Sequence, residues 1–194
     1  MTVRIAHLYE TGDPQAKEIA DTLVEHFTDR EVRLDHFDGS QLPQDFDFSD
    51  YQGVIMGAQV RRARLPRYVE TIVEDHLDVF ENKPTAFYMM SQLGSEEPED
   101  HRHRLKVLLE RFLDADPWRP VLIACFVGAG DVLSGGFMME LAGKAVADRR
   151  GHEIDPSRDY EYREEASISA FVDLFDARLA NFQVGDQSHR PHAL

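Results

Sequence analysis

Three short stretches of this chain bring together residue types able to hold an anion or a polar ring: Glu10–Ala16 (ETGDPQA), Gln59–Leu65 (QVRRARL) and Ser91–Pro98 (SQLGSEEP). The first precedes an amphipathic period, so Thr11, Gly12, Asp13, Gln15 and Ala16 stand at a helix start, where unpaired N–H groups and the helix dipole favour a phosphate. The same residues admit a second use. Asp13 followed by Pro14 is a good N-cap and first-turn pair, whose carboxylate would take those N–H groups itself. In the second stretch Arg61, Arg62 and Arg64, continued by Arg67, form the densest basic cluster of an acidic chain. Arginine binds carboxylates in bidentate fashion, so the cluster could clamp a carboxylate-bearing substrate. Its other use is a solvated loop that pairs with nearby acids.

Other candidates are weaker. His101 and His103 follow Glu96, Glu97, Glu99 and Asp100, but no third ligand stands at metal spacing, and acids in a first helical turn need no metal to explain them. No metal site is expected. The single cysteine, Cys125, lies inside the apolar run Val121–Val127 and reads as a core thiol. No nucleophile elbow is present. The chain carries 21 basic and 36 acidic residues, a net charge of −15, which repels nucleic acid and anionic lipid. Val3–Tyr9 follows Met1 without a charged-then-apolar leader, and no apolar run approaches the roughly 20 residues of a membrane span. A cytoplasmic location is the expectation.

These stretches must be positioned by regular elements, and alternation supplies them. Apolar runs at Val3–Tyr9, Gly53–Ala58, Lys83–Met90 and Val121–Val127, with the alternating segment Val32–Phe37, predict five strands. Helical periods span Gln15–Phe27, Pro66–Phe80, Glu99–Leu113 and Glu165–Ala180. Strands alternating with helices imply right-handed crossovers and a five-stranded parallel sheet of order 2-1-3-4-5, covered on both faces. Ligands then lie beyond the carboxyl ends of the strands, where all three polar stretches fall. The first strand is not followed by G-x-G-x-x-G, so a dinucleotide site is unsupported. Phe137–Ala147 reads as a helix within an insertion of about 128–159. Tyr160–Tyr162 could close the sheet, and 181–194 reads as a flexible tail to a single domain spanning 1–180. Trp118 is expected to pack at the entry to the fifth strand.

Four collinear segments, TGDPQAKEIA, VIMGAQVRRARLPRYV, KPTAFYMMSQLG and DPWRPVLIACFVGA, resemble the flavodoxin-type, quinone-linked protoporphyrinogen oxidases. The resemblance runs from about Ile5 to Leu179. It implies a flavodoxin-like three-layer α/β sandwich with an insertion after the first half of strand 5. It also implies an FMN cofactor that carries the redox chemistry, a quinone acceptor and a role in haem biosynthesis. By position, it implies that Thr11, Gly12, Asp13, Gln15 and Ala16 wrap the phosphate, and that Ala58, Gln59, Val60 and Arg61 lie along the flavin ring. Ser91, Gln92 and Leu93 would meet the ring's pyrimidine end, and Arg61, Arg62 and Arg64 the substrate propionates. The loop departs from that pattern at Glu10 and Ala16, where such loops carry hydroxyls, and at Pro14, which has no N–H. In the resembling enzymes the insertion is basic and approaches the membrane or the porphyrinogen; here Glu140 and Asp148 offset Lys144, Arg149 and Arg150, which leaves a weak peripheral contact, a lid or a homodimer contact as its uses. The departures keep two other functions open: an acidic flavodoxin-like electron carrier, and a fold of this kind that has lost its flavin and serves as a binding or regulatory module.

Overall fold

A computed structural model describes residues 2–92, 97–115, 117–129, 132–142, 159–163 and 166–187. Strand β1 (Val3–Tyr9) leads to α1 (Pro14–Phe27), β2 (Val32–Asp38), β3 (Gly53–Gln59), α2 (Arg67–Asp75), α3 (Leu77–Asn82), β4 (Thr85–Gln92), α4 (Pro98–Ala115), β5 (Leu122–Ala129), β6 (Val132–Leu141), β7 (Tyr160–Arg163) and α5 (Ile168–Gln187). The sheet has seven strands in the order β2-β1-β3-β4-β5-β6-β7. The first five are parallel and keep the predicted 2-1-3-4-5 order. The last two are antiparallel, which corrects the expectation of a five-stranded, all-parallel sheet.

Both faces are covered because the strands present apolar side chains to either side in turn. Ala6, Leu8, Val54, Met56, Phe87 and Met89 join a core with α2, α3 and α4. Ile5, Tyr9, Ile55, Ala86, Tyr88 and Met90 join a second core with α1 and α5. Helix α1 buries Ala16, Ile19, Ala20, Leu23 and Phe27, the stripe expected from three and four residue steps. Trp118 packs as predicted: it is buried against Phe80, Phe87 and Phe112, and its indole N–H donates to Thr85 Oγ1 at 2.8 Å.

Three element predictions need correction. Phe137–Leu141 is strand: Phe137, Met139 and Leu141 face one core and Met138 the other, a period of two. Gly136 stands in β6 at φ +150, and a Cβ there would lie 1.9 Å from the Cys125 carbonyl oxygen across the ladder. Glu140 then pairs with Arg163 at 3.2 Å and with Arg178 of α5 at 2.5 Å, tying the added strands to the helix layer. The predicted helix Pro66–Phe80 is two helices, broken at His76 (φ −131, ψ 32), whose buried ring packs edge-on against Phe48 at 5.0 Å. Finally, α5 continues to Gln187, past the predicted end at Ala180. Residues 143–158, most of the predicted insertion, lie outside the described residues.

Gly57 shows how side chains cross the sheet. It stands opposite Tyr88 in the register, and with no Cβ in the way the Tyr88 ring lies across β3. Its hydroxyl reaches His7 Nε2 on β1 at 2.9 Å. His7 Nδ1 lies 3.0 Å from His36 Nδ1 on β2. A single chain of polar groups therefore spans β4 to β2.

Candidate functional site

The carboxyl ends of β1 and β3 are neighbours, and the chain order reverses between them, the place where such sheets bind ligands. Five side chains meet across this gap. Gln59 Nε2 donates to Gln15 Oε1 at 3.4 Å, and Gln59 Oε1 accepts from Arg61 Nε at 2.8 Å. Arg61 Nη2 reaches Asp13 Oδ2 at 3.0 Å and lies 3.8 Å from Glu10 Oε2. The loop after β1 is thus latched to the loop after β3.

Asp13 is the N-cap of α1. Its Oδ1 accepts from the Ala16 N–H at 2.9 Å, and Pro14 follows in the first turn. The backbone N–H of Asp13 donates to Glu10 O, and that of Lys17 to Asp13 O. The Thr11 hydroxyl donates to Asp38 Oδ2 at 2.8 Å. Hydrogen bonds from Ser40, and then from Thr11, hold the Asp38 carboxyl below its ordinary range. Glu10 Oε2 is buried and accepts no hydrogen bond, so Glu10 does not turn out to solvent. Next to these groups Tyr68 is pushed above its ordinary range, first by burial and then by the negative charges of Glu10, Asp38 and Asp13. The loop holds a net negative field against which Arg61 works alone among the causes of that shift.

Beyond the latch, a cleft of about 450 Å³ opens over the ends of β3 and β4, lined by Gln59, Val60, Arg61, Arg62, Ala63, Ser91, Gln92, His101 and Arg104. Of the residues predicted for the ring, Gln59, Val60, Arg61, Ser91 and Gln92 therefore meet in one cavity. Ala58 is fully buried in the core below it, and Leu93 lies outside the described residues. Arg62 and Ala63 occupy the two central positions of a tight turn closed by Arg61 and Arg64, whose backbones exchange two 3.1 Å hydrogen bonds. Both central residues have positive φ, 52 and 55, a turn that glycine or asparagine would enter with less strain.

The predicted arginine clamp is divided by this turn. Arg61 is engaged with the β1 loop, Arg62 lines the cleft, and Arg64 and Arg67 line a separate groove between α2 and α4. Three lining residues, Ala63, His101 and Arg104, lie outside the predicted site. His101, weighed from sequence only as a metal ligand, is buried in the first turn of α4, and Arg104 Nη2 donates to its Nδ1 at 3.0 Å. The signal was available, since His101 lies four and eight residues before buried Leu105 and Leu109. Cys125 is the core thiol expected; burial pushes it up to about 12. Among the described residues no cluster of His, Cys, Asp and Glu could hold a metal, and no described helix is long and apolar enough to cross a membrane.

Against FMN, the two ends of the site differ. Over β3 and β4 the cleft offers the amides of Gln59 and Gln92 and the hydroxyl of Ser91, hydrogen-bonding groups of the kind a flavin ring takes. The loop Thr11–Ala16 does not fit its phosphate: the helix start is capped by Asp13, the Thr11 hydroxyl is committed to Asp38, and Glu10 adds a second carboxylate.

Comparison with known proteins agrees with this architecture. The chain is 25% identical over 171 residues, 88% of its length and 73% of the relative's, to a Leishmania major protein named protoporphyrinogen IX dehydrogenase (quinone). Among solved structures it is similar to an apo NADH:FMN oxidoreductase, with 13% identity, a TM-score of 0.53, and 91% of this chain and 90% of that one covered. It is also similar to the Desulfovibrio gigas rubredoxin oxygen:oxidoreductase, with 13% identity and a TM-score of 0.51. There 93% of this chain matches only 37% of the other. At these identities the structural likeness is one of fold. The flavodoxin domain model matches residues 7–139, well over half of the chain, and the chain belongs to the flavodoxin domain family.

Proposed function

We propose that this chain is a flavin-dependent oxidoreductase that seats a flavin ring in the cleft over β3 and β4 and acts on a carboxylate-bearing substrate. A protoporphyrinogen-like substrate and a quinone acceptor are the specific form of this reading. The observation that carries it is the cleft itself, in which amide and hydroxyl groups from Gln59, Ser91 and Gln92 share a wall with the cations Arg62 and Arg104. Family membership and the 25% identical relative support it.

A flavin supplies electron-transfer chemistry of its own, and a protein's part is to bind, orient and exclude. Gln59 is suited to orienting because Arg61 and Gln15 hold both ends of its amide. Ser91, largely buried at the end of β4, offers a hydroxyl in a place shielded from water. Arg62 and Arg104 supply positive charge at the cleft on a protein of net charge −15, so a polycarboxylate is drawn to this face in preference to the rest of the surface. The test is oxidation of protoporphyrinogen by the flavin-supplemented protein with a quinone acceptor. Arg62→Ala and Arg104→Ala should each raise KM more than they lower kcat. Protein that shows no rise in Tm with any flavin would refute the reading.

A second reading has its own observation. Asp13 fills the α1 start that a cofactor phosphate would use, which supports a binding or regulatory module without flavin. Absence of flavin binding with retained binding of a polycarboxylate in the arginine-walled cleft would favour it.

A further inference from the structure

We propose that the loop after β1 carries its own anion where a phosphate would sit, so that this chain selects a flavin without phosphate, such as riboflavin, over FMN. The inference rests on the reading that the cleft takes a flavin ring, and concerns the other end of that ligand. Three features carry it.

The first is occupancy. The Asp13 carboxylate uses one oxygen for the Ala16 N–H at 2.9 Å and the other for Arg61 at 3.0 Å. It makes the contacts with helix start and cation that a phosphate would make. The Asp13 side chain is only 9% exposed and the Ala16 beneath it is fully buried, so that N–H is closed to a second anion. The second is charge. Glu10 and Asp13 bring two carboxylates to Arg61, Asp38 adds a third on the Thr11 hydroxyl of the same loop, and a dianionic phosphate placed among them meets repulsion at short range. The third is closure. Gln15, Gln59 and Arg61 tie the loop after β1 to the loop after β3, and this latch lies between the ring cleft and the α1 start. A neutral polyol chain can leave the cleft toward solvent, whereas a phosphate would have to displace the latch to reach α1.

The experiment is a flavin titration followed by fluorescence quenching, using lumiflavin, riboflavin and FMN at low and high salt. The wild-type chain is compared with the double variant Glu10→Ser/Asp13→Asn, in which asparagine keeps the cap. Wild type should bind riboflavin about tenfold more tightly than FMN, with the gap narrowing at high salt as the repulsion is screened. The double variant should gain about tenfold for FMN and leave lumiflavin unchanged within about threefold. Wild type that binds FMN at least as tightly as riboflavin would overturn the inference and leave the flavin reading standing. A wild-type chain that binds no flavin, with FMN binding gained in the variant, would support the loop assignment while overturning the flavin reading for the natural sequence. No flavin bound by either protein would overturn both.

Discussion

Replacing Gly57 by alanine should be the most damaging one-carbon change in β3. An added Cβ would lie 2.1 Å from Tyr88 Cζ and 2.3 Å from its hydroxyl oxygen, far inside contact distance. The ring cannot simply swing aside, because Tyr88 is fully buried and packs on Phe126 and Phe171. Overpacking of this kind costs about 1–3 kcal/mol. Any ring shift that relieves it also breaks the 2.9 Å bond to His7 Nε2 and leaves two buried polar groups unsatisfied, about another 1–3 kcal/mol. The expected loss is about 4 kcal/mol in all. Urea unfolding of Gly57→Ala measures it. The same substitution in a Tyr88→Leu background, where the ring is gone, should cost about 1 kcal/mol or less. Equal losses in the two backgrounds would refute the account, since the damage would then not arise from the ring crossing β3.

Ala63→Gly should stabilise the protein by about 0.5–1 kcal/mol, because Ala63 is held at φ 55 in the turn beside the cleft; a loss of stability in urea would contradict the strain. Thr85→Val removes the acceptor of the buried Trp118 indole N–H and should cost about 1–3 kcal/mol, read through the fluorescence of the single tryptophan; an unchanged midpoint would show the bond to be dispensable. His7 is fully buried, and burial first, then the neighbouring His36, holds its pKa well below the ordinary value. The unfolded chain therefore takes up a proton that the folded chain does not, and stability is lost as pH falls below about 6.5, by about 1.4 kcal/mol per pH unit. His7→Gln should flatten that slope by this amount in urea unfolding at pH 7.5 and 5.5, and parallel profiles for the two proteins would refute it.

Much of the fold was legible because its signals are local. Each of the first five strands is a short apolar or alternating run, and α1 announces itself through Asp13, Pro14 and a stripe from Ala16 to Phe27. The misreadings arose where a local pattern was ambiguous or overridden. Phe137 and Leu141 stand four residues apart, as on one helical face, yet Gly135 and Gly136 just before them disfavour helix and fit a ladder in which a Cβ at 136 would strike Cys125. The break at His76 follows from packing against Phe48, which is 28 residues away in sequence and invisible to periodicity.

The site divides along the same line. Asp13 as a cap is a contact over three residues, and the sequence offered it as one of two uses of the loop. What decides between those uses is Arg61, 48 residues downstream, whose guanidinium meets Asp13 and lies near Glu10. The same arginine looked from sequence like part of a substrate clamp, because a basic cluster shows its charge and not its partner. Once β1 and β3 are neighbours, the arginine nearest the strand end falls to the acids of the adjoining loop, and the turn at Arg62 and Ala63 sends the next one into the cleft. Substituting Arg61 should accordingly act on the β1 loop and on flavin selectivity, while substituting Arg62 should act on the carboxylate-bearing ligand. The two effects should add, because the side chains serve different partners. A strongly non-additive double variant would mean that the latch and the clamp are one device.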